Sequence, residues 1–159
     1  LWQEFADDEG FVLLCPGLAD ESGGWYQDEG ERLLYGVLRK IRREYSLHRQ
    51  VFLAGFSAGG QFVQGYAFSN PDDVAAVTVL SAGNYYEPIA DAAHIPFRVI
   101  IGEDDNQTAL GNAAVFVDLL QGGGYDVQLH LLPDTGHRVT ASARELTIEF
   151  FREIYGIEE

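Results

Sequence analysis

The sequence predicts an α/β fold: a mostly parallel sheet with helices on both faces. Three observations carry this expectation. Short apolar runs alternate with longer stretches of helical periodicity along the 159 residues. The runs are apolar throughout rather than alternately apolar and polar, as in strands covered on both sides. Each run also stops at a cluster of turn-forming residues.

Leu1, Trp2 and Phe5 fall at helical spacing, so Leu1 to Asp8 reads as the tail of a helix ended near Gly10. Phe11 to Cys15 is the first apolar run and the first expected strand, stopped by Pro16-Gly17. Cys15 reads there as a small buried hydrophobe. A polar loop over 18–30 carries Trp25 and Tyr26. Glu31 to Tyr45 places Leu33, Leu34, Val37, Leu38, Ile41 and Tyr45 on one stripe, which predicts a helix. Its arginines and Lys40 mostly fall opposite that stripe, on a solvated face.

Val51 to Ala54 is the second expected strand, and Ala58 to Phe68 a helix that Asn70-Pro71 ends. Val74 to Leu80 and Phe97 to Ile101 are the third and fourth strands. Thr108 to Gln121 is a helix with Leu110, Ala113, Ala114, Val117 and Leu120 inward, broken by Gly122-Gly123-Gly124. Tyr125 to Leu132 is the fifth strand, and Thr140 to Tyr155 the last helix. One domain over 1–159 accommodates all of it.

Composition excludes several classes. Hydrophobic residues make up 47%, which marks a folded chain. The formal net charge of −15 argues against nucleic acid and anionic membrane surfaces as partners. No apolar run approaches the ~20 residues of a membrane span. Cys15 is the lone cysteine, so no intrachain disulfide exists and nothing demands an oxidising compartment, which favours the cytoplasm. No H-E-x-x-H and no cysteine pair is present, so neither metal nor cofactor is expected. Oligomeric state does not follow from the sequence.

Gly55-Phe56-Ser57-Ala58-Gly59 fits G-x-S-x-G. With 18 glycines the bare pattern arises readily by chance. Its context carries it: strand, sharp turn, helix. Gln61 stands where a phosphate-binding loop needs Lys, which rules that alternative out. In parallel sheets ligands bind beyond the carboxyl ends of the strands. The reactive side chains expected there are Ser57, Asp104 or Asp105, and His137, in the order Ser, Asp, His.

A serine hydroxyl needs a base within reach and a carboxylate to hold that base in the right tautomer. His48 and His94 precede strands and His130 lies inside one, which leaves His137 as the base. Asp105, three residues past Gly102, can turn back toward it; Asp104 is its neighbour and rival. Asp134 reads as a turn residue. The backbone N–H of Ala58 is one candidate donor to an oxyanion. Trp25, Tyr26, Tyr85 and Tyr86 are candidate walls for a substrate.

Four segments together resemble a known family: Gly55-Phe-Ser-Ala-Gly-Gly, Ser81-Ala-Gly-Asn-Tyr-Tyr, Val99-Ile-Ile-Gly-Glu-Asp-Asp and Pro133-Asp-Thr-Gly-His. The chain looks like an α/β-hydrolase, and resembles the esterase-type members near dienelactone hydrolases, polyhydroxybutyrate-depolymerase-like esterases and feruloyl esterases. The resemblance implies a serine hydrolase of carboxylic esters with Ser57 as nucleophile, His137 as base and Asp105 as the acid. It implies a small-molecule or polymer-derived ester substrate. It also implies that the chain is incomplete at its front, because the family's sheet has earlier strands, and one loop among them donates a second oxyanion N–H. About fifteen residues separate the third and fourth strands, too few for a cap domain. Two alternatives stay open: a prolyl-oligopeptidase-type peptidase or amidase, since the double glycine also occurs there, and a non-catalytic binding domain on the same fold.

Overall fold

A computed structural model describes residues 2–18 and 26–157 of the chain. Two compact units divide it, Leu1–Ser46 and Leu47–Glu159. Among the described residues no helix is long and apolar enough to cross a membrane.

The first unit holds two helices, α1 (Trp2–Glu9) and α2 (Gln27–Glu44). Gly10 ends α1 at φ 70°, a left-handed conformation that glycine adopts without penalty. The turn lets the Phe11 N–H donate to the Ala6 carbonyl at 3.1 Å and brings the Phe11 ring within 4.9 Å of Phe5. A bond of that span with an apolar contact beside it is how many helices close.

Phe11 to Cys15 does not form the expected strand. The sheet among the described residues has four strands, all in the second unit. Without ladder partners the run is covered only in part, and Cys15 is exposed rather than buried. The helix α2 starts four residues before its expected position. Gly30, which reads as a loop residue in sequence, lies buried in the first turn and donates its N–H to Tyr26. Its stripe is narrower than expected: Leu34 and Leu38 are buried, while Leu33 is 44% and Tyr45 56% exposed.

The second unit contains strands β1 (Val51–Phe56), β2 (Val74–Leu80), β3 (Phe97–Gly102) and β4 (Val127–Leu132) and helices α3 (Ala58–Ser69), α4 (Gln107–Gly122) and α5 (Ala141–Tyr155). All neighbours pair in parallel, in the order β1-β2-β3-β4. The expected Tyr125 start of β4 moves to Val127. Gly124 turns the chain at φ 80°, and the Tyr125 N–H is spent on the last turn of α4, at Leu120 O.

Side chains alternate across a strand, so each strand serves both faces. Phe97 of β3 meets Phe68 of α3 at 5.8 Å and Phe116 of α4 at 6.0 Å, which puts α3 and α4 on one face. Its neighbour Arg98 points the other way and lies 4.1 Å from the ring centroid of Phe150 in α5. Ile100, Leu80 and Leu132 share that second face with Ala143 of α5. Arg98 is tolerated in the core because Glu153 accepts from it at 3.0 Å and Asp126 lies 3.8 Å away. Covered on both faces, β3 is buried throughout and β2 almost so, which is why they read as continuous apolar runs.

Candidate active site

The carboxyl ends of β1, β3 and β4 deliver the candidate residues to one edge of the sheet. Ser57 follows β1 directly and starts α3. Its backbone sits at φ 55°, ψ −118°, a region that L-residues avoid. A strained residue persists only where its surroundings over-determine it. Here the Ser57 N–H donates to Leu80 O at 2.8 Å and its carbonyl accepts from Gln61 N at 3.1 Å.

Sterics fix the turn as well. A Cβ on Gly55 would lie 2.1 Å from the Gly59 carbonyl oxygen, and one on Gly60 would lie 3.0 Å from Gly55 O and 3.2 Å from Ala82 Cβ. A Cβ on Gly59 would meet nothing within 4 Å. The close approach therefore depends on Gly55 and Gly60, and Gly59 contributes its carbonyl. The first N–H groups of α3, Ala58 among them, have no intrahelical acceptor and stand at the positive end of the helix dipole.

Asp105 follows β3. The turn closes through Asp105 N–H to Gly102 O at 3.1 Å and is tied to the loop after β4 by Asp104 N–H to Thr135 O at 2.9 Å. The two backbones cross so closely that a Cβ on Gly102 would lie 1.9 Å from Thr135 O. This crossing separates the two aspartates. Asp104 is exposed, whereas the Asp105 side chain is 1% exposed and faces His137. Asp134 occupies a turn at φ 49°, as expected of it.

His137 joins the other two. Its Nδ1 lies 3.1 Å and 3.2 Å from the Asp105 carboxylate oxygens, and its Nε2 lies 3.0 Å from Ser57 Oγ. Nδ1–H donates to the carboxylate, which leaves Nε2 to accept from the hydroxyl. The ring leans on Phe56, centroid to centroid 4.8 Å, and its side chain is 47% exposed. Ser57 and His137 are 80 residues apart in sequence.

Burial alone would raise the Asp105 carboxyl. The hydrogen bonds from Asn106 N–H, His137 and the Ser81 side chain, with the charge of His137, outweigh that and hold it below its ordinary value. Ser81 was not singled out in sequence. It is 3% exposed and sits at φ 47° immediately after β2, and a serine directly past a strand end was the available signal.

The remaining candidates fare differently. Tyr85 stacks on Phe116 at 4.6 Å, and its phenol is pushed well up by burial and then by the charge of Asp105. Tyr86 is half-buried. Tyr26 is 66% exposed and precedes α2. Trp25 lies outside the described residues.

No family model matches the sequence. A curated relative, the bifunctional acetylxylan esterase/xylanase XynS20E of Neocallimastix patriciarum, is 24% identical over 108 residues, covering 66% of this chain. The chain spans only 16% of that protein's length. Among solved structures, a protein of Bacillus cereus ATCC 10987 superposes with a TM-score of 0.77 at 18% identity, over 97% of this chain and 54% of its own. The esterase PE8 superposes with a TM-score of 0.67 at 20% identity, over 84% of this chain and 62% of its own.

Two outcomes follow from the geometry. Gly102→Ala should cost about 1–3 kcal/mol by overpacking against Thr135, read from urea unfolding; an unchanged midpoint would contradict the crossing. The second concerns pH. With its folded value depressed, ionised Asp105 adds stability above the ordinary carboxylate pKa of about 4 that disappears as pH falls through the folded value. Asp105→Asn should therefore flatten the acid limb of unfolding free energy against pH, and an unaltered limb would contradict that assignment. The sheet order, the helices on both faces and these superpositions agree: this chain has the α/β-hydrolase fold.

Proposed function

We propose that this chain is a serine carboxylic-ester hydrolase that works through an acyl-enzyme. One observation carries the proposal: Ser57 Oγ, His137 and the buried Asp105 form a continuous hydrogen-bonded chain at the carboxyl edge of the sheet. Likeness to a protein named an acetylxylan esterase and to a solved esterase supports it.

In the proposed cycle Ser57 Oγ attacks the ester carbonyl carbon while His137 Nε2 takes the hydroxyl proton. The carbonyl oxygen becomes an oxyanion beside the Ala58 N–H, at the positive end of α3. The tetrahedral adduct collapses. The carbon–oxygen bond to the leaving alcohol breaks, and His137 hands its proton to that alcohol. Water then attacks the acyl-serine, His137 again takes a proton, and the acid is released as Ser57 recovers its own. Asp105 stays ionised throughout, orienting His137 and stabilising its charged form.

Tyr85 and Tyr86 bound the substrate. A short connection over residues 81–96 leaves the site open. A peptidase would need a site for a substrate amino group, and none is seen among the described residues. An inert binding domain would have no use for a strained serine aligned with a base.

Hydrolysis of p-nitrophenyl acetate and of acetylated xylose tests the proposal. Ser57→Ala should lower kcat about 10⁴- to 10⁶-fold, roughly 5–8 kcal/mol of barrier. A loss of less than about tenfold would point to a different nucleophile.

A further inference from the structure

Gln64 is a polar side chain that the proposed cycle does not use, and it is fully buried. It lies in α3 among Phe62, Val63, Tyr66, Ala67 and Phe68, where an amide has no reason to be unless its hydrogen bonds are met. They are met at both ends. Its Nε2 donates to Asn84 O at 3.1 Å and to Gly60 O at 3.3 Å, and its Oε1 accepts from Tyr86 N at 2.9 Å. Three of the four bonding capacities of the amide are spent, two of them on the segment that follows β2.

The placement links this amide to the nucleophile. Gln64 is seven residues past Ser57, so it shares the helix face of Ser57 and Gly60. The segment runs along that face. Ala82 lies against Gly60, and Asn84 and Tyr86 then bind Gln64. Asn112 of α4 adds a bond to Gly83 O at 2.8 Å, and Ser81 N–H donates to Ile100 O at 2.9 Å. Between the two residues held by Gln64 stands Tyr85. Its ring packs on Phe116, and its hydroxyl is buried with no hydrogen-bond partner among the described residues.

We infer that Gln64 is a positioning residue: it locks the Asn84–Tyr86 segment to the helix that carries Ser57 and so fixes the distance from the nucleophile to the Tyr85–Tyr86 wall, which sets the acyl size the site accepts. This rests on the esterase proposal. A rigid wall selects by steric fit, and a wall released from α3 yields to longer chains. Gln64→Leu keeps the bulk and removes the amide, leaving Asn84 O and Tyr86 N without their partner. Gln64→Glu keeps the acceptor for Tyr86 N, but when ionised it sets oxygen against the Asn84 and Gly60 carbonyls. Protonation restores a donor there.

The test is the ratio of kcat/KM for p-nitrophenyl acetate to that for p-nitrophenyl octanoate, measured with amide exchange at Tyr86. In Gln64→Leu the ratio should shift about tenfold, mainly through KM, and the Tyr86 N–H should lose protection. In Gln64→Glu the ratio should return toward that of the parent protein as pH falls, when both are compared at each pH. An unchanged ratio in a folded Gln64→Leu protein would overturn the inference, even if its Tm drops, because a purely structural amide would move Tm alone. A parent protein inert to both esters, yet with Tyr86 protected through Gln64, would defeat the esterase proposal and remove the site that Gln64 is inferred to serve.

Discussion

Where a parallel strand ends directly beneath the start of a helix, one residue must turn the chain, and here that residue is Ser57 at φ 55°. The turn exists because the Gly59 carbonyl fits against Gly55 at a distance no Cβ would allow. A conformation of this kind costs about 1–3 kcal/mol. It is offset by the ladder between β1 and β2 and by the apolar burial of α3 against both strands. The strain has a consequence: the hydroxyl projects from the end of the sheet at the start of a helix, beside N–H groups that have no intrahelical acceptor. The placement of the other two residues has meaning only relative to that fixed point.

A second close crossing delivers the partners. Asp105 and His137 lie 32 residues apart, on loops after different strands. What unites them is backbone contact between Gly102 and Thr135, reinforced by the Asp104 bond to Thr135 O. The carboxylate is buried, and a buried charge survives only with hydrogen bonds. Asn106, Ser81 and His137 provide them. Ser81 opens the segment after β2 and bonds the Asp105 carboxylate, and Gln64 holds the same segment farther on at Asn84 and Tyr86, so that one segment joins Asp105 to Tyr85 and Tyr86.

Much of the fold was legible because strands covered on both faces must be apolar throughout, and β2 and β3 announce themselves that way. The order of Ser57, Asp105 and His137 was legible because a parallel sheet sends its strand ends to one edge. Phe11 to Cys15 misled for the same reason: a run of strand formers states a preference, and pairing needs a neighbour that local sequence does not supply. The start of α2 was hidden by Gly30, whose poor helix propensity is overridden by burial. The role of Ser81 left one faint signal, a serine directly past a strand end, and that of Gln64 left none. The partners that define those roles, Asp105 for Ser81 and Asn84 and Tyr86 for Gln64, are 20 or more residues away, and a side chain leaves no periodic trace of such a bond. Likewise the G-x-S-x-G pattern marks Gly55 and Gly59 alike, whereas the space requirement falls on Gly55 and Gly60.

The central claim is that Ser57 is activated by its hydrogen-bonded base. Treatment with a fluorophosphonate, followed by the intact mass of the protein, tests it without any choice of substrate. A single adduct that disappears in both Ser57→Ala and His137→Ala is the predicted result, because an unassisted serine hydroxyl does not react at neutral pH. An adduct that persists in Ser57→Ala, or a protein left unmodified, would contradict the assignment.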